Sequence, residues 1–217
     1  MESSYRAVKY CAQAKGWSLL STQEFKVSAA ALEHRIPSFG FHIREQDSPG
    51  QLDVNKLQEV GLKPGPDYGK LKAGKPVEFE GVLLKPEDFL GSPVVGREIV
   101  IFGDTCNSDQ ILGLTNSPDI FIHEATMENK FKEKCVEVGH STPDMAADIA
   151  LRARANLLVL FHLSPRYKDI GDILKKDDYS AETLLLEAQE YLKSNNSRME
   201  VMVAEDLMEV IVPRKKS

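Results

Sequence analysis

Asp119-Ile-Phe-Ile-His-Glu-Ala-Thr126, with Glu98-Ile-Val-Ile-Phe-Gly-Asp-Thr105 before it and Leu157-Leu-Val-Leu-Phe-His-Leu-Ser164 after it, is the stretch whose pattern decides the fold. Each of the three segments is an apolar run of strand length that ends on a His or an Asp. Leu157 to Phe161 is apolar without a break, as expected of a strand covered on both faces. Helix signals lie between and after these runs. Residues 109–114 predict a short helix and 128–138 a polar one. Thr142-Pro-Asp-Met145 opens another, with a cap residue, proline at the first position and an acid in the first turn. Its apolar face is Met145, Ile149, Ala150 and Ala153. A further helix is expected over 181–192, followed by a terminal pair of apolar segments at 199–204 and 207–212. Strands alternating with helices predict an α/β layered domain.

Upstream, 25–32 and the alternating Ser38-Phe-Gly-Phe-His-Ile-Arg44 read as strands separated by Pro37. Leu52, Leu57 and Val60 suit a helix that stops at Gly61, and 63–75 is a loop dense in Gly, Pro and Lys. Residues 1–20 form an unassigned segment in which Tyr5, Val8, Cys11 and Ala12 mark a short helix face. No internal repeat and no long linker divides the remainder, so 21–217 is expected to be one domain.

With 217 residues, 42% of them hydrophobic, the chain can bury a sizeable core. No apolar run approaches the roughly 20 residues of a membrane span. Three scattered cysteines without a Cys-x-x-Cys pair argue for a reducing compartment, cytosol or nucleus, and against a thiolate zinc site. The net charge of -6 confines any nucleic-acid contact to a local patch, for which Lys63, Lys70, Lys72 and Lys75 are candidates.

The chemistry sits at the strand ends. Asp104 follows a buried run directly, and His34 and His162 close two others. Imidazole and carboxylate are the ligands zinc takes outside thiolate sites, and strand ends of one sheet converge in space. A turn aspartate and satisfied core histidines account for the same residues taken singly. His123 and Glu124 are neighbours on one strand, so the pleat aims them apart; a His able to protonate an alkoxide with a carboxylate nearby suits acid–base chemistry. His140-Ser141-Thr142 precedes a helix start and Arg166 follows His162, both positions suited to a phosphate.

Taken together and in order, Gly103-Asp-Thr105, His123-Glu-Ala-Thr126, Gly139-His-Ser-Thr142 and Phe161-His-Leu-Ser-Pro-Arg-Tyr167 resemble the short-form tRNase Z family. Leu32-Glu-His34, Pro37-Ser-Phe-Gly-Phe41 and the 64–72 loop match as well. The resemblance implies a metallo-β-lactamase-like fold of helices packed on sheets, here partial. It implies a zinc-dependent endoribonuclease that removes the 3′ trailer from precursor tRNA, uses two zinc ions and forms a homodimer. It casts His34, Asp104 and His162 as metal ligands, with Asp104 bridging. His123 becomes the catalytic proton donor with Glu124 beside it, and His140, Ser141, Thr142 and Arg166 contact substrate. The family's His-x-His-x-Asp-His signature is absent, and the tRNA-gripping arm is expected in that missing half. The chain alone is therefore expected to be inactive or weakly active. The alternatives are a non-catalytic product that dimerises with or regulates the complete enzyme, and another metallo-β-lactamase phosphodiesterase.

Overall fold

The computed structural model describes residues 7–13, 15–173, 175 and 178–214. In chain order the strands and helices are β1 (Tyr10–Cys11), β2 (Gly16–Ser21), β3 (Phe25–Leu32), β4 (Ser38–Glu45), α1 (Val54–Glu59), α2 (Pro66–Lys72), β5 (Val77–Phe79), β6 (Val82–Leu84) and α3 (Pro86–Phe89). They continue with β7 (Glu98–Phe102), β8 (Ile120–Glu124), α4 (Lys132–Val138), α5 (Pro143–Arg152), β9 (Leu157–Phe161), β10 (Tyr167–Lys168), β11 (Tyr179–Ser180), α6 (Ala181–Ser194) and β12 (Glu200–Val203). Two compact units result, one from 7–44 with 98–212 and a smaller one from 45–97 with 213–214.

The larger unit is built on one eight-stranded sheet, ordered β1-β2-β3-β4-β7-β8-β9-β12. Its β7-β8-β9-β12 half is parallel, as the strand–helix alternation predicts, and β4 joins it antiparallel to β7. Register places Val100, Phe121 and Leu158 in one row and Ile101, Ile122 and Val159 in the next, on opposite faces. The first face packs under α5 and α6. Phe102, Phe121, Leu158 and Leu160 meet Ala146, Ala147 and Ala150 of α5 and Leu184, Ala188 and Leu192 of α6. Alanines on the inner stripe of α5 let the helix approach the sheet closely, and all of these side chains are buried.

The second face is covered at β9, as expected of 157–161, with Val159 buried, but it opens toward β4. Phe41 pairs with Ile101 on it, and Phe39 and Phe41 are 41% and 39% exposed. Trp17 stands edge-on to Phe39 at 5.7 Å and to Tyr10 at 5.1 Å. Residues 10–21 are thus a strand pair, where a short helix is expected. The Trp17↔Ala29 pairing with β3 supplies partners that no local periodicity reveals. Tyr5, the first residue of the expected helix face, lies outside the described residues. Residues 207–212 carry no regular structure.

The smaller unit has its own core of Leu57, Leu62, Leu71, Val77, Leu84 and Phe89. Its hairpin β5–β6 turns through Glu80 and Gly81, both at positive φ (49° and 80°), as a two-residue primed turn requires. The 63–75 stretch, expected as loop, contains α2, because Pro66 starts the helix and Leu71 anchors it in the core. At the base, Arg97 donates to both carboxylate oxygens of Glu45 at 2.9 and 2.5 Å. Those bonds, more than burial can oppose, hold the Glu45 carboxyl down to about 2. Sequence alone shows no linker here, because the unit is bounded by two strands that pair with each other.

Candidate metal centre

The ends of β8 and β9 and the loops after β3, β7 and α4 bring five of the expected residues together: His34, Asp104, Glu124, His140 and His162. Asp104 leaves β7 and His34 leaves β3, and backbone bonds lace the two loops. Cys106 N–H donates to Glu33 O at 2.8 Å and Glu33 N–H to Asn107 O at 3.0 Å. His162 follows β9 with φ of 54°, a left-handed conformation uncommon for a residue with a Cβ. That turn leaves its Nδ1 3.6 Å from Asp104 Oδ1. Ligand atoms of His34, Asp104 and His140 lie within 4.8 Å of one another, as do those of Glu124, His140 and His162. The His140 ring centroid is 5.1 Å from that of His34 and 5.3 Å from that of His162.

Glu124 is the hub beneath this cluster. It has no exposed surface, and its Oε1 accepts from Thr105 N–H at 2.7 Å and His140 Nδ1–H at 3.0 Å. Its Oε2 accepts from Thr126 Oγ1–H at 2.5 Å and Ser141 N–H at 3.0 Å. One carboxylate therefore fixes three loops, and the two hydrogen bonds accepted by each oxygen are what make its burial tolerable. His140 keeps Nε2 for other chemistry because Nδ1 is committed to Glu124.

His123 takes the opposite face, as the pleat dictates. It is 1% exposed, packed 4.6 Å from the Phe102 ring, and far from a solvent-facing role. Its Nδ1–H donates to the Glu124 carbonyl at 2.8 Å and its Nε2 accepts from Ser108 Oγ at 3.1 Å. Burial pushes its pKa down, against the opposing pull of the Glu124 carbonyl and charge, so the ring is held neutral. It borders a cavity of about 290 Å³ on the helix side with Met145, Ile149 and Tyr191. His123, expected at the acid–base position, therefore lies on the helix side of the sheet, whereas the Glu124 carboxylate engages the ring of His140.

The expected substrate contacts divide in the same way. Ser141 and Thr142 are buried: the Ser141 hydroxyl donates to Thr105 O at 2.5 Å and the Thr142 hydroxyl to Asp144. Thr142 therefore makes no side-chain cap to α5. Arg166 is exposed, with Nε bonded to Ser164 Oγ at 3.2 Å and the guanidinium 5.9 Å from the Phe131 ring centroid. Of the four lysines singled out, Lys70 pairs with Asp67 at 2.8 Å on α2.

The donors fit a zinc-type ion. They are imidazoles and carboxylates, and His34 donates Nδ1–H to Gly139 O at 2.7 Å, which leaves its Nε2 lone pair available.

No protein-family profile matches the chain. It is 40% identical over 218 residues to the human protein named zinc phosphodiesterase ELAC protein 1, covering 99% of this chain and 59% of that one. It is 38% identical over 196 residues to ribonuclease Z of Brevibacillus brevis, covering 90% of this chain and 58% of the relative. The crystal structure of human tRNase Z, short form (ELAC1), superposes with a TM-score of 0.57 at 27% identity, over 96% of this chain and 51% of that one. The chain spans about three-fifths of the length of these relatives, and the match to the human protein includes most of the 1–20 segment that sequence reasoning left unassigned. By sequence over nearly its whole length, and by fold, the chain is similar to the short-form tRNase Z proteins of the metallo-β-lactamase fold.

Proposed function

We propose that the chain carries the C-terminal share of a zinc-dependent endoribonuclease site that removes 3′ trailers from precursor tRNA. The observation behind this reading is the convergence of His34, Asp104, His140 and His162 over the buried Glu124. His34, Asp104 and His162 would hold the metal. A bound zinc supplies Lewis acidity toward the phosphoryl oxygen and toward water. Hydrolysis joins a water oxygen to phosphorus and breaks the bond to the 3′-oxygen, which must gain a proton as it leaves. His140, protonated on both nitrogens, would give that proton from Nε2; its Nδ1 bond to Glu124 supports this role. Arg166, on the His162 loop, would steady a phosphate of the RNA.

This chain alone would work slowly. A catalytic zinc usually takes three protein ligands, and two ions would have to share the few donors gathered here. A second copy or a complementary chain would supply the remainder, in keeping with the homodimer the family resemblance implies. The test is cleavage of a 3′-extended tRNA by the zinc-loaded chain. Slow, chelator-sensitive trailer release that disappears in Asp104→Ala supports the reading. Release indifferent to chelator or to Asp104 overturns it.

A further inference from the structure

Gly139 ends α4 in the left-handed region at φ of 89°, an ordinary place for a C-terminal glycine. Its surroundings are not ordinary. A Cβ built on it would run into the His34 ring, meeting Nδ1 well inside contact distance, Cε1 at 3.1 Å and the Arg35 backbone nitrogen at 3.3 Å. The same residue's carbonyl accepts the His34 Nδ1–H at 2.7 Å, across 105 positions of sequence. The next residue, His140, bonds Glu124 and stacks near both His34 and His162. One bare backbone unit therefore touches the edge of one imidazole and launches the other.

We infer that Gly139 is a positioning residue of the metal centre: its carbonyl fixes the His34 tautomer so that Nε2 keeps the lone pair a metal ion would take, and its missing side chain is the space the His34 ring occupies. This rests on the proposed reading that His34 ligates a metal. Both outer-shell hydrogen bonding and ring orientation are known levers on metal affinity, and their loss typically costs about 10–100-fold.

Two variants separate this from a plain helix stop. Gly139→Ala suffers both the left-handed φ and the overlap with His34. Gly139→Asn tolerates the φ better, since asparagine is the usual substitute at such a cap, but it carries the same Cβ. Zinc affinity measured by chelator competition is expected to fall about 10–100-fold in both. Asn should recover thermal stability relative to Ala without recovering affinity. Wild-type affinity in Gly139→Asn overturns the inference. An independent measurement on the metal-free wild-type chain is the His34 tautomer, read from two-bond proton–nitrogen correlations. Nδ1–H is expected, and Nε2–H overturns the inference whatever the variants do. Should the wild type bind no zinc, the proposed function falls, and the tautomer alone decides whether Gly139 positions His34.

Discussion

His123 and His140 sit 17 residues apart, are bonded to opposite ends of Glu124, and have opposite fates. One bonds the carbonyl and is sealed against Phe102; the other bonds the carboxylate and keeps a free nitrogen toward the cluster. Substitution should separate them cleanly. His140→Ala is expected to lower trailer cleavage about 10²–10⁴-fold and to cost some stability, since the buried Glu124 carboxylate loses one of its four donors. His123→Ala removes a buried ring and leaves Ser108 and a carbonyl unpartnered, so it should cost about 2–4 kcal/mol, read by denaturant unfolding. The pH dependence has a definite sign. A histidine held neutral by burial adds stability that is complete above its ordinary value of 6.5 and is lost as pH falls below it. The drop in stability between pH 6.5 and 5 should therefore be shallower in His123→Phe than in the wild type, and an identical drop contradicts the neutral assignment.

Among the elements, the smaller unit offers a separate acid-sensitive joint. Glu45 is charged down to about pH 2 because Arg97 grips both its oxygens. A carboxylate depressed in this way stabilises the fold fully above about 4.5, and the contribution disappears as pH drops toward 2. In Arg97→Ala that contribution is absent at every pH, so amides of α2 and β5–β6 should exchange faster than in the wild type above about pH 4.5, with the difference closing as pH drops toward 2. Equal acid profiles would falsify the clasp. The same unit marks the limit of what sequence discloses. The strands β3, β4, β7, β8 and β9 are legible because each is a local run of apolar residues or a strict alternation. The Asp104 and His162 positions are legible for the same reason, being simply where those runs stop. β2 is not legible, because Trp17 is explained only by its partner across β3. Nor is α2, whose Gly and Pro mimic a loop until Leu71 is seen in a core. The bond between Glu124 and His140 is not legible either, because it spans 16 positions between two loops and no spacing rule encodes it.

For the molecule as a whole, the sheet face bearing Phe39, Phe41, Ile101 and Ile122 is the feature that bears on behaviour in solution. Apolar rows with two half-exposed phenylalanines favour association. The purified chain is expected to self-associate in sedimentation experiments and to bind a hydrophobic dye. Phe39→Ser with Phe41→Lys should shift it toward monomer without lowering zinc affinity, since neither side chain belongs to the cluster. Unchanged association in the double variant would remove this face as the cause. The net charge of -6 makes indiscriminate coating of RNA by the chain unfavourable. Everything in the functional reading depends on the centre itself, and the most direct measurement is zinc bound per chain, with Asp104→Ala, His34→Ala and His162→Ala alongside. Bound zinc that each substitution strips, while the helices and sheet remain folded, is the predicted result. A chain that takes up no zinc, or one that holds it equally well without Asp104, contradicts the account.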